Sequence, residues 1–350
     1  MIYYVVKRAH QYTLSSFVAT FAPQLRDLVK LVFYEELEAL RYLRAGTYIF
    51  SDIERLRREE AENAAKVWNA LKDAPSAFRL LNHPTASMKR YELLRNLREL
   101  QREAIHSYDV YRLTEAMTPR RFPVFLREED EHTELRASIR LIHSVQELDV
   151  EIGRLMKEGS WRDKVIVVEF VDTSDPRRMF RKYSASIAHG RIFPEHVLFS
   201  REWFVKVPVL IDRDTHEEQE RYLRLNPHEK ELREVCALAR IEYGRVDYAI
   251  KDGKLCIWEI NTNPYLGLPT SDALVDQTVE MLRWMNIEEK DSGRLPNPVY
   301  RPTAVRLLRA MRRDRVTLRM RWGGRMSGRV WKYARWATKR CGLLRELSRL

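Results

Sequence analysis

The segment 245–260 constrains the fold of this chain most strongly, because it reads as a complete β-hairpin. Two runs of β-prone residues, 245–250 and 255–260, flank the dipeptide Asp252-Gly253. An Asp-Gly pair between two such runs is typical of a tight hairpin turn, since both residues readily adopt the left-handed backbone conformation. The sequence therefore predicts an antiparallel strand pair at this point.

Three side chains with oxygen donors lie on the predicted hairpin. Glu259 and Asn261 are two residues apart, so their side chains point to one face of the second strand, and the turn brings Asp247 close to them. Two carboxylates and an amide oxygen suit Mg²⁺, with phosphate oxygens completing the octahedron. The alternative is that the two carboxylates pair with nearby arginines such as Arg245, and spacing alone leaves both interpretations open.

The remainder of residues 1–300 is predicted to be mixed α/β. The strongest single strand is 165–171, whose β-branched run is typical of a strand buried on both faces. Ser51 or Asp52 is the expected N-cap of a helix. The further predicted elements are strands at 3–6, 47–50, 122–127, 181–188 and 191–193, and helices at 52–71, 89–103, 146–157 and 227–239.

Charge divides the chain near residue 300. The whole chain carries a net charge of +12, but residues 301–350 hold 16 Lys and Arg against two acids, a local charge of +14 that leaves −2 for residues 1–300. Leu, Met and Trp alternate with these basic residues, which favours an amphipathic helix on an anionic membrane surface. A tail folded against the body or a soluble partner is the alternative, and nucleic acid is favoured less because the bulky apolar residues would have no purpose there.

Several protein classes are excluded by what the sequence lacks. Neither G-x-G-x-x-G nor G-x-x-x-x-G-K-[ST] occurs among the 12 glycines, which argues against Rossmann dehydrogenases, P-loop NTPases and protein kinases. Any nucleotide phosphates would thus be held by side-chain charge and metal. The scattered Cys236, Cys256 and Cys341 predict neither disulfides nor a zinc site and favour a reducing compartment. Without an apolar run of about 18 residues or a signal-peptide layout, the expected location is cytoplasmic, or alternatively peripheral at the inner face of the membrane.

The hairpin also resembles the signature of the ATP-grasp superfamily. GRVD at 244–247, DG at 252–253 and EINTNP at 259–264 follow, in order, the G-R-x-D strand, D-G turn and E-x-N-t-x-P end of D-alanine–D-alanine ligases and related carboxylate–amine ligases. The resemblance implies ATP and Mg²⁺, with two ions expected and Mn²⁺ as an alternative. It assigns metal binding to Asp247, Glu259 and Asn261, catalysis to Arg245 and Lys206, and ATP binding to Arg127, Glu169, Phe170, Val171, Arg181 and Lys182.

Two segments depart from the family pattern. Arg127 stands where the family usually has lysine, and the loop after it, 128–134, has five acids and no glycine. This loop either points outward, or His132 and some of the acids contact a cationic acceptor. In addition, Tyr265 follows Pro264 where the ligases often have glycine, so the identity of the acceptor cannot be copied from D-alanine ligases.

The resemblance implies an ATP-grasp fold of the α/β (α+β) class, with two α+β subdomains clasping ATP within 85–295. An N-terminal α/β domain is expected at 1–84 and a basic helical tail at 296–350, with the adenine hinge near 169–171 and the metal hairpin at 244–264. The implied function is a Mg-ATP-dependent carboxylate–amine ligase that works through an acyl phosphate on substrates of the amino-acid, peptide or cell-envelope precursor type. The alternatives are an ATP-grasp kinase acting on a hydroxyl, and a membrane- or nucleic-acid-binding protein led by the tail.

Overall fold

The computed structural model describes residues 1–74, 78–113, 118–130, 139–157, 164–206, 212–267, 269, 271–287 and 293–305. Strands and helices follow one another as a mixed α/β chain. In order they are β1 (Ile2–Val6), α1 (Tyr12–Thr20), β2 (Val29–Phe33), β3 (Tyr42–Arg44), β4 (Gly46–Phe50), α2 (Arg58–Lys72), β5 (Phe78–Leu81), α3 (Arg90–Leu100), β6 (Val110–Arg112), β7 (Val124–Glu128), α4 (Val145–Lys157), β8 (Val165–Glu169), β9 (Phe180–Ala188), β10 (Arg191–Ser200), α5 (Arg213–Leu225), α6 (Glu229–Ala239), β11 (Tyr243–Lys251), β12 (Lys254–Asn261), α7 (Asp272–Met285) and β13 (Arg294–Pro296).

The chain forms two compact units. The first comprises the described residues of Met1–Tyr48, Lys66–Arg79 and Tyr265–Leu350, and the second those of Ile49–Ala65 and Leu80–Pro264. Most residues of a sheet with the order β2-β1-β4-β5, in which β1 and β2 are parallel, belong to the first unit. Within the described ranges, no helix has the length and apolar composition needed to cross a bilayer.

The second unit contains a three-stranded antiparallel sheet with the order β6-β8-β7. Val165 and Val167 of β8 belong to one apolar cluster with Leu148 of α4, whereas Val168 belongs to another with Leu94 of α3. Alternate side chains of a strand point to opposite faces. The β-branched run of β8 is therefore buried on both sides, as its sequence predicts.

A four-stranded antiparallel sheet, β10-β9-β11-β12, completes the second unit. Its two faces differ, because β9 alternates in polarity from Lys182 to Ile187. Tyr183, Ala185 and Ile187 join the apolar core that also includes buried residues of α6. Lys182 and Ser184 point to the other face, which is the polar one and carries the candidate site.

Most predicted elements are confirmed within a few residues, and two are corrected. The helix expected from 52 begins at Arg58, because Asp52 has φ +60° and is followed by a 3₁₀ turn at Ile53–Arg55, so neither Ser51 nor Asp52 caps the helix. The strand expected at 191–193 runs on to Ser200. The basic tail beyond residue 305 lies outside the described residues, and the division into domains at 84 and 295 stays a prediction.

Candidate functional site

The predicted hairpin is confirmed, and it brings the candidate metal ligands together. In the register of β11 and β12, Asp247 lies opposite Glu259 and Arg245 lies opposite Asn261, with a bulge directly after Asp247. Gly244 allows this close pairing, since a Cβ at that position would lie 3.0 Å from the carbonyl oxygen of Asn261. The two ends of the sequence motif thus meet on one face of the sheet.

Asp247 is buried and surrounded by positive charge. Its carboxylate accepts hydrogen bonds from Ser184 Oγ at 2.7 Å and Lys182 Nζ at 3.0 Å, and Arg245 Nε lies 3.4 Å away. Burial by itself raises the pKa of Asp247, but Lys182, Arg245 and the Ser184 hydrogen bond together hold it well below its ordinary value. Asp247 is therefore ionised at neutral pH.

Glu259 faces two guanidinium groups. It forms an ion pair with Arg90, whose side chain is only 3% exposed, and lies 3.5 Å from Arg127. Burial, reinforced by the charge of Arg127, lowers the pKa of Arg90 well below its ordinary value. Arg90 also donates to the carbonyl oxygens of Glu128 and Glu129 at 3.2 and 2.7 Å. Sequence reasoning missed Arg90, since it begins a helix far from the hairpin in the chain.

The polar face opens into a cavity of about 260 Å³. Part of its wall is apolar and aromatic, with the ring of Trp203 centred 5.1 Å from that of Phe125 and 5.4 Å from that of Phe170. An aromatic wall beside a cationic one suits a ligand with a planar base and phosphates. The cationic residues of the lining are Arg90, Arg127, Arg181, Lys182, Lys206 and Arg245.

The donor set at the hairpin fits a hard divalent cation. Asp247, Glu259 and Asn261 all line the cavity, and Asn261 Oδ1 accepts one hydrogen bond, from the Asn263 N–H at 2.9 Å, so a second lone pair is available. Across the part of the chain that the structure describes, no group of three or more His, Cys, Asp or Glu side chains forms a metal cluster. The candidate set is thus two carboxylates and one amide oxygen, as Mg²⁺ prefers when phosphates supply further ligands.

Most of the predicted ATP-contacting residues line the cavity, but Glu169 does not. Arg127, Phe170, Val171 and Lys182 are found in the lining, as are Arg245 and Lys206, to which the resemblance assigns catalysis.

Glu169 is 1% exposed and binds elsewhere. It accepts hydrogen bonds from Tyr111 Oη at 3.0 Å and from Arg121 Nη2 at 2.8 Å. Val168 lines the cavity, so the next residue of the strand points to the opposite face. The geometry therefore does not support the predicted contact of Glu169 with the base and ribose.

Arg181 lines the cavity as predicted, yet its charge is already balanced. Its guanidinium donates to Asp175 at 2.9 Å and to Glu218 at 2.7 Å. These two partners hold the Arg181 side chain in place. Its geometry fits a structural role better than the phosphate contact that the resemblance implies.

The first acids of the 128–134 loop are committed to structural contacts. Glu129 is buried and accepts from the Tyr91 N–H at 3.1 Å and Arg112 Nη2 at 3.0 Å, and Asp130 lies 3.3 Å from Lys164 Nζ. His132 and Glu134 lie outside the described residues. The charge of Glu129 is thus paired with that of Arg112.

Three further polar residues of the site escaped the sequence analysis. Ser184 contacts Asp247, and Ser186 and Glu195 contact each other beside Arg245. The alternation of Lys182, Ser184 and Ser186 with apolar residues was the available signal, because it predicts a polar strand face.

Comparisons with known proteins give structural matches alone. No protein-family model matches the chain, and no curated protein matches it. Similar solved structures include a D-alanine–D-alanine ligase from Bacillus anthracis (13% identity, 81% of this chain and 98% of that chain, TM-score 0.47) and a RimK domain ATP-grasp protein from Sphaerobacter thermophilus (12%, 81% and 99%, 0.46). An L-amino acid ligase from Bacillus licheniformis also matches (10%, 82% and 75%, 0.41). These are proteins of the group that the hairpin motif resembles, and with TM-scores below 0.5 the similarity assigns no function.

Proposed function

We propose that this protein is a Mg-ATP-dependent carboxylate–amine ligase. ATP would phosphorylate a substrate carboxylate to an acyl phosphate, and an amine would then displace phosphate to form an amide. The observation that carries the proposal is the meeting of Asp247, Glu259 and Asn261 on one sheet face, inside a cavity with a cationic and an aromatic wall.

The cationic wall suits the charge of a phosphoryl donor. Lys182 and Arg245 lie beside Asp247, and Arg127 lies beside Glu259, so each carboxylate is flanked by positive charge that also faces the cavity. Fixed cations placed where negative charge develops lower the barrier to phosphoryl transfer, because they need not reorganise during the reaction. Lys206 adds a further positive charge to the same lining.

Asp247, Glu259 and Asn261 are the residues that would hold the metal. Mg²⁺, when bound, would neutralise phosphate charge and orient the phosphoryl group. Two ions are expected, with Mn²⁺ as an alternative. The resemblance of the hairpin motif to amino-acid ligases directs the choice of substrates to amino-acid or peptide carboxylates and amines.

The aromatic wall of the cavity would bind the base of the nucleotide. Phe125, Phe170 and Trp203 surround an apolar region of the lining that also includes Val168. A planar base can stack against such rings without specific hydrogen bonds. The predicted hinge residues Phe170 and Val171 lie in this part of the site.

Hydroxylamine trapping tests the proposed chemistry directly. The full chain would be incubated with Mg-ATP, hydroxylamine as a general amine, and a panel of amino acids and dipeptides labelled with ¹⁸O in the carboxylate. We expect hydroxamate and an equal amount of phosphate, with one ¹⁸O carried from the carboxylate into the phosphate. A phosphorylated alcohol without free phosphate would show a kinase and refute the ligase.

A matched pair of variants ties that activity to the site. Asp247→Asn should abolish product formation, since it removes one charged metal ligand. Asp252→Asn is the control, because Asp252 lies in the hairpin turn with its side chain 79% exposed and outside the cavity lining. Asp252 has φ +50°, a conformation that asparagine also tolerates, so this variant should fold and act like the wild type.

A further inference from the structure

Strand β10 contains one extra residue beside the candidate site. Its register with β9 runs Phe193 to Ser186 and Pro194 to Ala185, then resumes with His196 opposite Ser184. Glu195 is therefore the inserted residue of a β-bulge. Bulges next to active sites commonly redirect a side chain, which makes the direction of this one informative.

The bulge turns the Glu195 carboxylate towards Arg245. Glu195 is 8% exposed, accepts a hydrogen bond from Ser186 Oγ, and has Oε2 at 3.5 Å from Arg245 Nη1. Ser186 and Arg245 are themselves register partners on β9 and β11. One carboxylate from a third strand thus touches both members of a cross-strand pair.

Arg245 is held from two sides as a result. Its Nε lies 3.4 Å from Asp247 Oδ1, while its Nη1 faces Glu195. A guanidinium is planar, so contacts at Nε and Nη1 restrict the direction of its remaining N–H donors. Burial keeps the pKa of Glu195 above its ordinary value, although Arg245 and the Ser186 hydrogen bond lower it in part.

A buried carboxylate close to a phosphate site would ordinarily be unfavourable. It costs desolvation free energy and repels the phosphates that the cavity is suited to bind. The pairing of β9 with β10 does not itself require a carboxylate at this position. The position of this carboxylate is favourable overall only if orienting Arg245 gains more than the added negative charge costs.

We propose that Glu195, held by Ser186, is a positioning residue that orients the Arg245 guanidinium towards the transferring phosphoryl group. The inference rests on the proposed function, but only on its phosphoryl-transfer step. An oriented cation stabilises charge that develops in the transition state, whereas substrate binding responds mainly to net charge. Glu195 therefore supports turnover while slightly opposing ATP binding.

Glu195→Gln separates these two effects because it keeps the shape and removes the charge. We expect kcat to fall about 10- to 100-fold, the range for a misplaced catalytic group, while the KM for ATP stays equal or decreases. Ser186→Ala should show a smaller change in the same direction. A fall in kcat accompanied by an equal rise in KM would refute the positioning role.

A double-mutant cycle with Arg245→Lys tests whether Glu195 acts through Arg245. With ADP release as the readout, Glu195→Gln should have little further effect in the Arg245→Lys background. If the fold-changes in ADP release of the two single variants multiplied in the double variant, the inference would be wrong. Because ADP release is measured whether the acceptor is a carboxylate or a hydroxyl, this result is separate from the hydroxamate assay that decides the ligase function.

Glu242→Gln is the control for general loss of stability. Glu242 is also a carboxylate whose pKa burial raises, but it accepts a hydrogen bond from the Asn82 N–H at 2.7 Å, outside the cavity lining. We expect it to lower the Tm without changing kcat. If Glu242→Gln and Glu195→Gln reduced kcat alike, the effect of Glu195 would be structural and the inference would be wrong.

Discussion

Replacing Glu259 by glutamine should destabilise the protein as well as inactivate it. Glu259 is the carboxylate that faces both Arg90 and Arg127, and the Arg90 side chain is only 3% exposed. Removing one partner of a buried ion pair leaves an uncompensated charge and costs about 3–5 kcal/mol. For a unit of about 150–250 residues, each kcal/mol lowers the Tm by about 2–4 °C. We therefore expect Glu259→Gln to lower the Tm by about 6–20 °C.

A second substitution shows whether the uncompensated charge of Arg90 is the cause. Arg90→Met removes that charge, although it also removes the hydrogen bonds that Arg90 donates to the carbonyl oxygens of Glu128 and Glu129, each worth about 1–3 kcal/mol. The double variant Arg90→Met/Glu259→Gln should therefore be less destabilised than the sum of the two single variants, by about 2 kcal/mol or more.

Urea unfolding of the four proteins at pH 7 measures this coupling. Mg-ATP-dependent turnover, followed in parallel, should stay absent in the double variant, because restoring stability does not restore the candidate metal ligand. Additivity of the free energies of unfolding to within about 0.5 kcal/mol would refute the assigned role of the ion pair. Turnover close to that of the wild type in folded Glu259→Gln would contradict the metal site itself.

Three more predictions concern acid stability, the base wall and the tail. Although burial alone raises it, two neighbouring cations hold the pKa of Asp247 below its ordinary 3.8, so the ionised carboxylate contributes fully to the free energy of unfolding well above that pH. This contribution is lost progressively as the pH falls from 3.8 towards the lower folded value. The free energy of unfolding, measured in urea, should accordingly differ less between pH 7 and pH 3 in Asp247→Asn than in the wild type. Trp203→Ala should weaken binding of an ATP analogue by about 1–3 kcal/mol in calorimetry, whereas Trp284→Ala, at a side chain 44% exposed in the other unit, should not. Deleting 306–350, which keeps Arg301 and its hydrogen bond to the Glu38 carbonyl oxygen, should leave ATP turnover unchanged and abolish binding to anionic vesicles at low salt. If the full-length protein does not bind such vesicles, the membrane interpretation is wrong.

The hairpin could be predicted from sequence because its information is local. Asp252 and Gly253 adopt φ +50° and +74°, as the turn requires, and the i, i+2 spacing placed Glu259 and Asn261 on one face. The β-branched composition of β8 likewise indicated burial on both sides. These features depend on neighbours within a few residues, which a single sequence displays.

The partners of the site residues could not be predicted, because they come from distant parts of the chain. Arg90 is paired with Glu259 across 169 positions, and nothing next to either residue indicates the other. Glu169 likewise lies outside the cavity lining because it is bonded to Arg121, 48 residues earlier, and the sequence around Glu169 gives no sign of that partner. Glu195 depends on a register shift between two strands, and a one-residue bulge leaves no clear mark in composition.

Strand β9 supplies core residues and site residues in alternation, so a single strand register serves both stability and chemistry. Inserting or deleting one residue within Phe180–Ala188 would exchange the two faces beyond that point, bringing Lys182 or Ser186 into the apolar core and an apolar side chain into the cavity. This strand can therefore change by substitution, but not by insertion or deletion of a single residue, without exchanging its two faces. New polar groups can enter the site through insertions in the neighbouring strand instead, and Glu195 has the form of one such insertion.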